Sequence, residues 1–423
     1  MKNFTAELKN GRYLLTCEAG NHVFLDEFPD FEKEEVVKKL EENFLILTEN
    51  NVKQYVEKLR KKKSFLFSGP SLNIVVVTLR CDQKCTYCHA SSKGLMQKEY
   101  DMPLETADKV ARLISQGTVE FQGGEPLANF SAIKQIVAGT KNVNYVLVSN
   151  LALMNEEILK FLMDRNFGIC TSLDGPEFLH NKHRAKYKET IYWIKRVNEE
   201  YQKRGIEKRV GALLTLTKDS LEYPREIVDE YVRQGIEDVD LRKMDCFGRS
   251  KKEYTAEEFI EFWKKAMDYI MELNTKGIRI FESKTKVMLK KILFEEDPGH
   301  MDLRSPCGAV IGQILYNYDG RIFTCDEGRM VGEDIFNIGN VDQQLSEITT
   351  SDDVNAVISA SINDSYCCVN CVYKPYCGIC PVVNYQEFGS LIGHISESDW
   401  CKINKAQFDY VFENLEKLKK WVQ

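Results

Sequence analysis

The 423-residue sequence contains no run of eighteen apolar residues, which excludes a membrane-spanning helix defined by hydropathy. Its first ten residues, MKNFTAELKN, lack the apolar core of a secretion signal. Neither an internal repeat nor a low-complexity linker is present. Positive charge is not in excess: 57 Lys and Arg stand against 64 Asp and Glu, a formal net charge of -7. That balance argues against a nucleic-acid-binding surface. Basic clusters such as Arg60 to Lys63 read as solvated helix faces offset by acidic helices. The expectation is a cytoplasmic protein with no nucleic-acid and no membrane partner.

What the chain has in abundance is cysteine, fourteen in all. In a reducing compartment such residues are metal ligands more often than disulfides. Their distribution agrees. Cys81, Cys85 and Cys88 lie within eight positions, and a second field runs from Cys307 to Cys401. Cys17, Cys170 and Cys246 stand alone and read as ordinary buried thiols.

The chain organises into four stretches. Residues 1–68 form a small α+β module, with GRYLLT and HVFL as strands around a glycine turn and FEKEEVVKKLEENFLIL and NVKQYVEKLRKKK as helices. Such a module is either winged or a packing extension. Over 69–250 the rhythm is strand then helix: NIVVVTL, TVEFQGG, NYVLVSN, FGICTSLDG, VGALLTLTKD and IEDVDLRK alternate with amphipathic segments. Six such units predict an α/β fold, a partial TIM-like (β/α)6 barrel with its chemistry at the strands' C-terminal ends. Residues 251–300 read as a helical bridge. In 301–423 periodicity fades, so metal crosslinks are a source of order before the last helix.

CDQKCTYCHA begins where the first barrel strand ends. A structural zinc site needs a fourth ligand, and His89 is adjacent to Cys88, which makes joint chelation poor. A redox pair uses only Cys85 and Cys88 and leaves Cys81 unexplained. Three thiolates on one loop suit a [4Fe–4S] cluster with one iron left open. One strand–helix unit later, FQGGEPL offers Gly123 and Gly124 for close backbone approach and Glu125 as an acceptor for an ammonium.

C-x3-C-x2-C followed by GGEP resembles the radical S-adenosylmethionine (AdoMet) superfamily. The resemblance implies that Cys81, Cys85 and Cys88 hold the cluster, whose open iron chelates AdoMet. It implies that Gly123, Gly124 and Glu125 hold the methionine amino group, and that Ser149, Asn150 and Ser172 contact ribose and methionine. Tyr87 would pack near the adenine, and Arg184, in a segment with Asp174-Gly175, would pair with the cofactor carboxylate. Each of these later residues is equally compatible with a turn or loop role.

The second field, Cys307, Gly320, Cys325, Cys368, Cys371, Cys377, Cys380 and Cys401, resembles the SPASM extension of peptide- and protein-modifying radical enzymes. Cys377-Gly-Ile-Cys380 departs from it, with two residues where the family has three. The resemblance implies a distal [4Fe–4S] cluster on Cys368, Cys371, Cys377 and Cys401 and a proximal one on Cys307, Cys325 and Cys380. Cys367 is a substitute ligand by position, and zinc is the alternative metal. Asp326, directly after Cys325, matches the base of sulfatase-maturating enzymes, although CD also suits a turn.

The segments GPSLNIVVVTLRCDQKCTYCHAS, FQGGEPLANF, LRKMDCFGRS and WCKINKAQFDYVFENL resemble the maturases of His-Xaa-Ser peptide systems. The implied activity is oxidation or crosslinking of a ribosomally made precursor peptide, with flavodoxin or ferredoxin as reductant. Residues 1–68 would then bind a leader sequence. The alternatives are a sulfatase-maturating-type side-chain dehydrogenase and a noncatalytic metal-cluster protein.

Overall fold

The computed structural model describes residues 1–295 and 297–422. The chain divides into two compact units, one of residues 1–69, 285–312 and 358–423, the other of residues 70–284 and 313–357. This division cuts across the serial boundaries at 68, 250 and 300 that the sequence rhythm suggests.

In the first unit, strands β1 (Thr5–Lys9), β2 (Arg12–Thr16) and β3 (His22–Leu25) form an antiparallel sheet in that order. Gly20, at φ +81°, makes the turn between β2 and β3 that a β-carbon would strain. Helices α1 (Glu34–Glu42) and α2 (Val52–Lys62) follow. Leu15, Val23, Leu40, Leu45 and Tyr55 form the core beneath them. The unit's C-terminal helix (Asp399–Glu413) packs through Phe408 and Phe412, both stacked on Tyr373.

The second unit is built on alternating strands and helices: β4 (Leu72–Thr78), α3 (Leu104–Leu113), β5 (Thr118–Gly123), α4 (Phe130–Gly139), β6 (Asn144–Val148), α5 (Glu156–Asp164), β7 (Gly168–Ser172), α6 (Tyr187–Lys203), β8 (Gly211–Leu213) and α7 (Pro224–Arg233). Local chemistry sets several boundaries. Asn155 caps α5 by accepting the Ile158 N–H at 2.9 Å, and Pro224 opens α7 where no N–H is needed. A reciprocal Thr255–Glu258 capping box starts the long helix α8 (Ala256–Thr275).

β4 to β8 are all parallel neighbours. Parallel strands need crossovers, and the helices supply them. Phe121 and Val119 of β5 are fully buried on the outer face, where Phe121 stacks with Tyr145 and Phe167.

Two features differ from the sequence expectation. IEDVDLRK contributes only a two-residue strand, Asp238–Val239, which pairs in parallel with Phe281–Glu282 instead of extending the main sheet. Its acids leave just Ile236, Val239 and Leu241 to bury. Second, β9 (Gln313–Tyr316) adds in parallel to the far edge at β4, followed by antiparallel β10 (Arg321–Phe323), helix α9 (Asp326–Val331) and β11 (Asn337–Asn340). The full order is therefore β8-β7-β6-β5-β4-β9-β10-β11. That pairing draws residues 313–357 into the barrel unit, and it is why part of the C-terminal cysteine field belongs there.

Candidate active site

The C-terminal ends of β4 to β8 surround a cavity of about 210 Å³. Cys81, Cys85, Tyr87, Cys88, Gly123, Gly124, Ser149, Asn150, Ser172 and Arg184 all line it. The structure thus brings together nearly every first-motif residue that the sequence singles out. Gln83, His89, Gln122, Thr215 and Met330 line it too.

The cysteine loop is anchored before its first cysteine. Arg80 is buried, and its guanidinium grips Asp101 with both arms at 2.7 and 2.6 Å. It also donates to the carbonyls of Leu95 and Ala128, at 2.7 and 2.6 Å. Asp101 in turn accepts from Thr78 Oγ1 at 2.6 Å. No spacing rule in the sequence reveals this clamp.

The glycines act first on the protein itself. A β-carbon on Gly124 would lie 2.4 Å from the carbonyl oxygens of both Leu79 and Arg80, and one on Gly123 would lie 2.1 Å from that of Thr78. Their lack of side chains lets the end of β5 press against the strand that leads into the cysteine loop. It also opens the cavity wall.

Glu125 is placed differently from the sequence expectation. It is fully buried and does not line the cavity. Its carboxylate accepts from Ser149 Oγ at 2.7 Å, the Asn150 N–H at 2.8 Å and the Leu127 N–H at 3.1 Å. Burial pushes its pKa up to about 7 despite these donors. It is a positioning residue that holds Ser149 and Asn150 at the wall. Asn150 donates to Asp82 at 2.9 Å, and Lys186 pairs with the other oxygen of Asp82 at 2.5 Å.

Tyr87 and Arg184 form a third anchor. The Tyr87 hydroxyl donates to Asp174, and Arg184 Nε donates to the Tyr87 oxygen at 3.0 Å and to Asp174 at 3.2 Å. The guanidinium lies over the Tyr87 ring, 5.4 Å from its centre. Arg184 therefore reaches the cavity wall already oriented.

The three thiols differ electrostatically. Burial pushes Cys81 up to about 12 and also raises Cys85. Burial raises Cys88 as well, but the Ser92 hydroxyl and N–H and the Arg249 guanidinium outweigh it and leave the thiol below its ordinary value. Backbone N–H groups of Gln83 and Ser92 each point at a sulfur, Cys81 and Cys88, at 3.4 Å. Gly248 closes over this side, where a β-carbon would lie 2.1 Å from the His89 carbonyl oxygen.

A soft donor set of three cysteines facing one cavity, with N–H groups aimed at sulfur, fits a thiolate-held iron–sulfur cluster. Among the described residues, no three His, Cys, Asp or Glu side chains converge tightly enough to hold a metal ion by themselves.

The second cysteine field is split between the units. Cys325 lies two residues beyond β10 in the barrel unit and caps α9, its sulfur accepting the Gly328 N–H at 3.3 Å. Asp326 follows and pairs with Arg329 at 2.9 Å. Cys307, Cys368, Cys371, Cys377, Cys380 and Cys401 belong to the other unit. There Cys367 and Cys371 both act electrostatically on Cys401 and on Cys368, and Asn404 donates toward the Cys377 sulfur at 3.8 Å. Between Cys377 and Cys380, Gly378 sits where a β-carbon would lie 2.4 Å from the Arg304 carbonyl oxygen.

Glu120, on the inner face of β5, is a residue that sequence reasoning missed. Burial, and then the Asp326 charge, raise its pKa from 4.5 to about 7. A raised folded-state pKa contributes stability that is fully present below pH 4.5 and is lost as pH rises through about 7. Glu120→Gln is therefore expected to stabilise the protein by about 2 kcal/mol at pH 8 and by little at pH 4.5. Denaturant unfolding at both pH values measures this. An equal effect at the two would refute the assignment.

The family model described as Radical SAM superfamily matches residues 75–231, which span these strands and the first cysteine motif. Over residues 75–231 the chain carries a radical SAM domain, an enzymatic fold. A cysteine-type anaerobic sulfatase-maturating enzyme of Clostridium perfringens is 24% identical over 375 residues, 82% of this chain and 97% of that protein. The protein MJ0907 of Methanocaldococcus jannaschii is 27% identical over 191 residues, 43% of this chain, which spans only 64% of MJ0907. Among solved structures, native anSMEcpe with bound AdoMet and the Cp18Cys peptide shares the fold at a TM-score of 0.68 and 20% identity, covering 83% of this chain and 99% of that one. Streptococcus suis SuiB bound to its precursor peptide SuiA covers 93% and 97%, at a TM-score of 0.57 and 16% identity. At these identities the likeness is one of fold, over most of the chain. No helix among its described residues is long and apolar enough to cross a membrane.

Proposed function

We propose that this radical SAM enzyme oxidises a side chain, serine or cysteine, in a bound peptide or protein segment. The observation that carries the reading is helix α9. It starts at Asp326 directly after Cys325, brings Met330 into the cavity wall, and places a carboxylate whose charge is felt by His89 and Glu120. The similarity to the sulfatase-maturating enzymes supports the same reaction class, in which an anionic base beside the reacting carbon is needed.

In this reading Cys81, Cys85 and Cys88 hold the AdoMet-binding cluster. Gly123, Gly124, Ser149, Asn150, Ser172 and Arg184 seat AdoMet, with Tyr87 and Glu125 positioning them. The later cysteines hold auxiliary clusters, and a flavodoxin or ferredoxin delivers electrons. When bound, these groups supply a 5′-deoxyadenosyl radical and an electron acceptor. Asp326, held by Arg329, takes the proton released as the side chain is oxidised.

A second reading, crosslinking of a ribosomal precursor peptide, is favoured by one observation: the shared fold with the peptide-bound SuiB extends over 93% of the chain. In that reading the N-terminal module engages a leader. Mass spectrometry of serine- and cysteine-containing peptides after anaerobic turnover tests the choice. Loss of two hydrogens from an isolated serine, independent of any leader, supports the first reading. Modification only of leader-bearing peptides supports the second.

A further inference from the structure

One polar atom on the active-site wall has no partner in the chain. Among the described residues, His89 Nε2 is buried and makes no hydrogen bond. The residue lines the cavity directly after Cys88. Its ring is held in place from two sides. The Asp245 backbone hydrogen-bonds it, which engages the other ring nitrogen. Phe247 meets it edge to face, with ring centroids 6.4 Å apart and planes at 77°. The backbone is pinned as well, since the Arg249 N–H donates to the Cys88 carbonyl at 3.0 Å. Turning the free nitrogen elsewhere would cost the ring its bond to Asp245.

The charged groups around the ring are already engaged. Asp326 and Arg184 act on it electrostatically, but Asp326 is paired with Arg329 at 2.9 Å and Arg184 with Asp174 at 3.2 Å. Gln83 Nε2 is a second buried nitrogen on this wall that lacks a partner among the described residues. Its amide stands among the thiols, with Oε1 3.9 Å from the Cys85 sulfur, so it faces whatever the three cysteines hold. His89 lies past the third cysteine and feels Asp326, the carboxylate assigned above to the proton of the oxidised side chain. The group expected beside Asp326 is the reacting side chain, and a hydroxyl or thiol can both donate and accept.

We propose that His89 Nε2 hydrogen-bonds the hydroxyl or thiol of the substrate side chain that is oxidised. The inference rests on the proposed reaction and names the group that holds its substrate. His89 is then a specificity-determining residue. A buried nitrogen left unpaired penalises an occupant without a polar hydrogen, so alanine at the reacting position is rejected.

The test is calorimetric binding of capped pentapeptides with serine, cysteine or alanine at the centre, to the iron-loaded enzyme with AdoMet and no reductant. Wild type should bind the serine or the cysteine peptide about tenfold more tightly than the alanine peptide. In His89→Phe, or in His89→Leu if the larger ring disturbs iron loading, that preference should fall below about twofold. In His89→Gln, whose amide can reach the same point, it should stay above about threefold. Equal affinity for the three peptides in wild type, the result if water alone satisfies the nitrogen, overturns the inference. So does a preference that survives in His89→Phe or His89→Leu, or no peptide binding at millimolar concentration. A loss of AdoMet affinity of about tenfold in these variants also overturns it, because the nitrogen would then face the cofactor. Oxidation of the same peptides, followed by mass after reduction of the enzyme, is read separately. A binding preference without mass loss strikes the proposed reaction and leaves this contact, whereas mass loss without a preference strikes the contact alone.

Discussion

Cys85→Ala is expected to abolish reductive cleavage of AdoMet, lowering the rate at least about a thousandfold, because in the proposed reading three thiolates hold the cluster and two cannot retain it. The same loss should appear in iron content and in the absorbance of the first cluster. Cys85 sits centrally in the loop and lines the cavity with Cys81 and Cys88. By contrast, Cys17→Ala, in the core of the other compact unit, should leave cleavage unchanged. Anaerobic turnover with chromatographic detection of 5′-deoxyadenosine separates the two variants. Wild-type turnover by Cys85→Ala would remove this loop from the chemistry.

Asp101→Ala should be strongly destabilising. It strips the only carboxylate bonded to the buried Arg80 guanidinium among the described contacts and takes an acceptor from Thr78. Removing one partner of a buried ion pair costs about 3–5 kcal/mol, since the remaining charge stays desolvated. Because Arg80 directly precedes Cys81, the cluster loop should loosen with it. A fall in both unfolding free energy and iron per chain is the expected result. A variant with wild-type stability would show that Arg80 finds other partners and that the clamp is dispensable.

Much of the site was legible because its chemistry is local. The spacing of Cys81, Cys85 and Cys88, the GGEP turn one strand later and the strand–helix rhythm all lie in short windows that fix geometry. Tyr87, Ser149, Asn150, Ser172 and Arg184 follow because strand ends converge on one edge of a parallel sheet. Glu125 was legible in place but not in role: the sequence shows an acceptor, while only the fold shows its lone pairs taken by Ser149, Asn150 and Leu127. The Arg80–Asp101 clamp joins residues twenty-one apart, with nothing periodic between them to announce the pairing.

β9 escaped because QILY is a run of only four residues in a cysteine-rich stretch, and its partner at β4 is more than two hundred residues away. The same long-range pairing explains why the compact units are not serial. The expected sixth strand failed for the opposite reason, a pattern too acidic to bury on a sheet. Glu120 illustrates a limit of alternation: TVEFQGG shows which residues share a face, but not that the inner one lacks a partner.

The measurement that tests the account most directly is AdoMet cleavage by the anaerobically reconstituted, dithionite-reduced protein. The expected products are 5′-deoxyadenosine and methionine in equal amounts, lost in Cys81, Cys85 and Cys88 variants. A fully iron-loaded protein that binds AdoMet and releases no deoxyadenosine would contradict it.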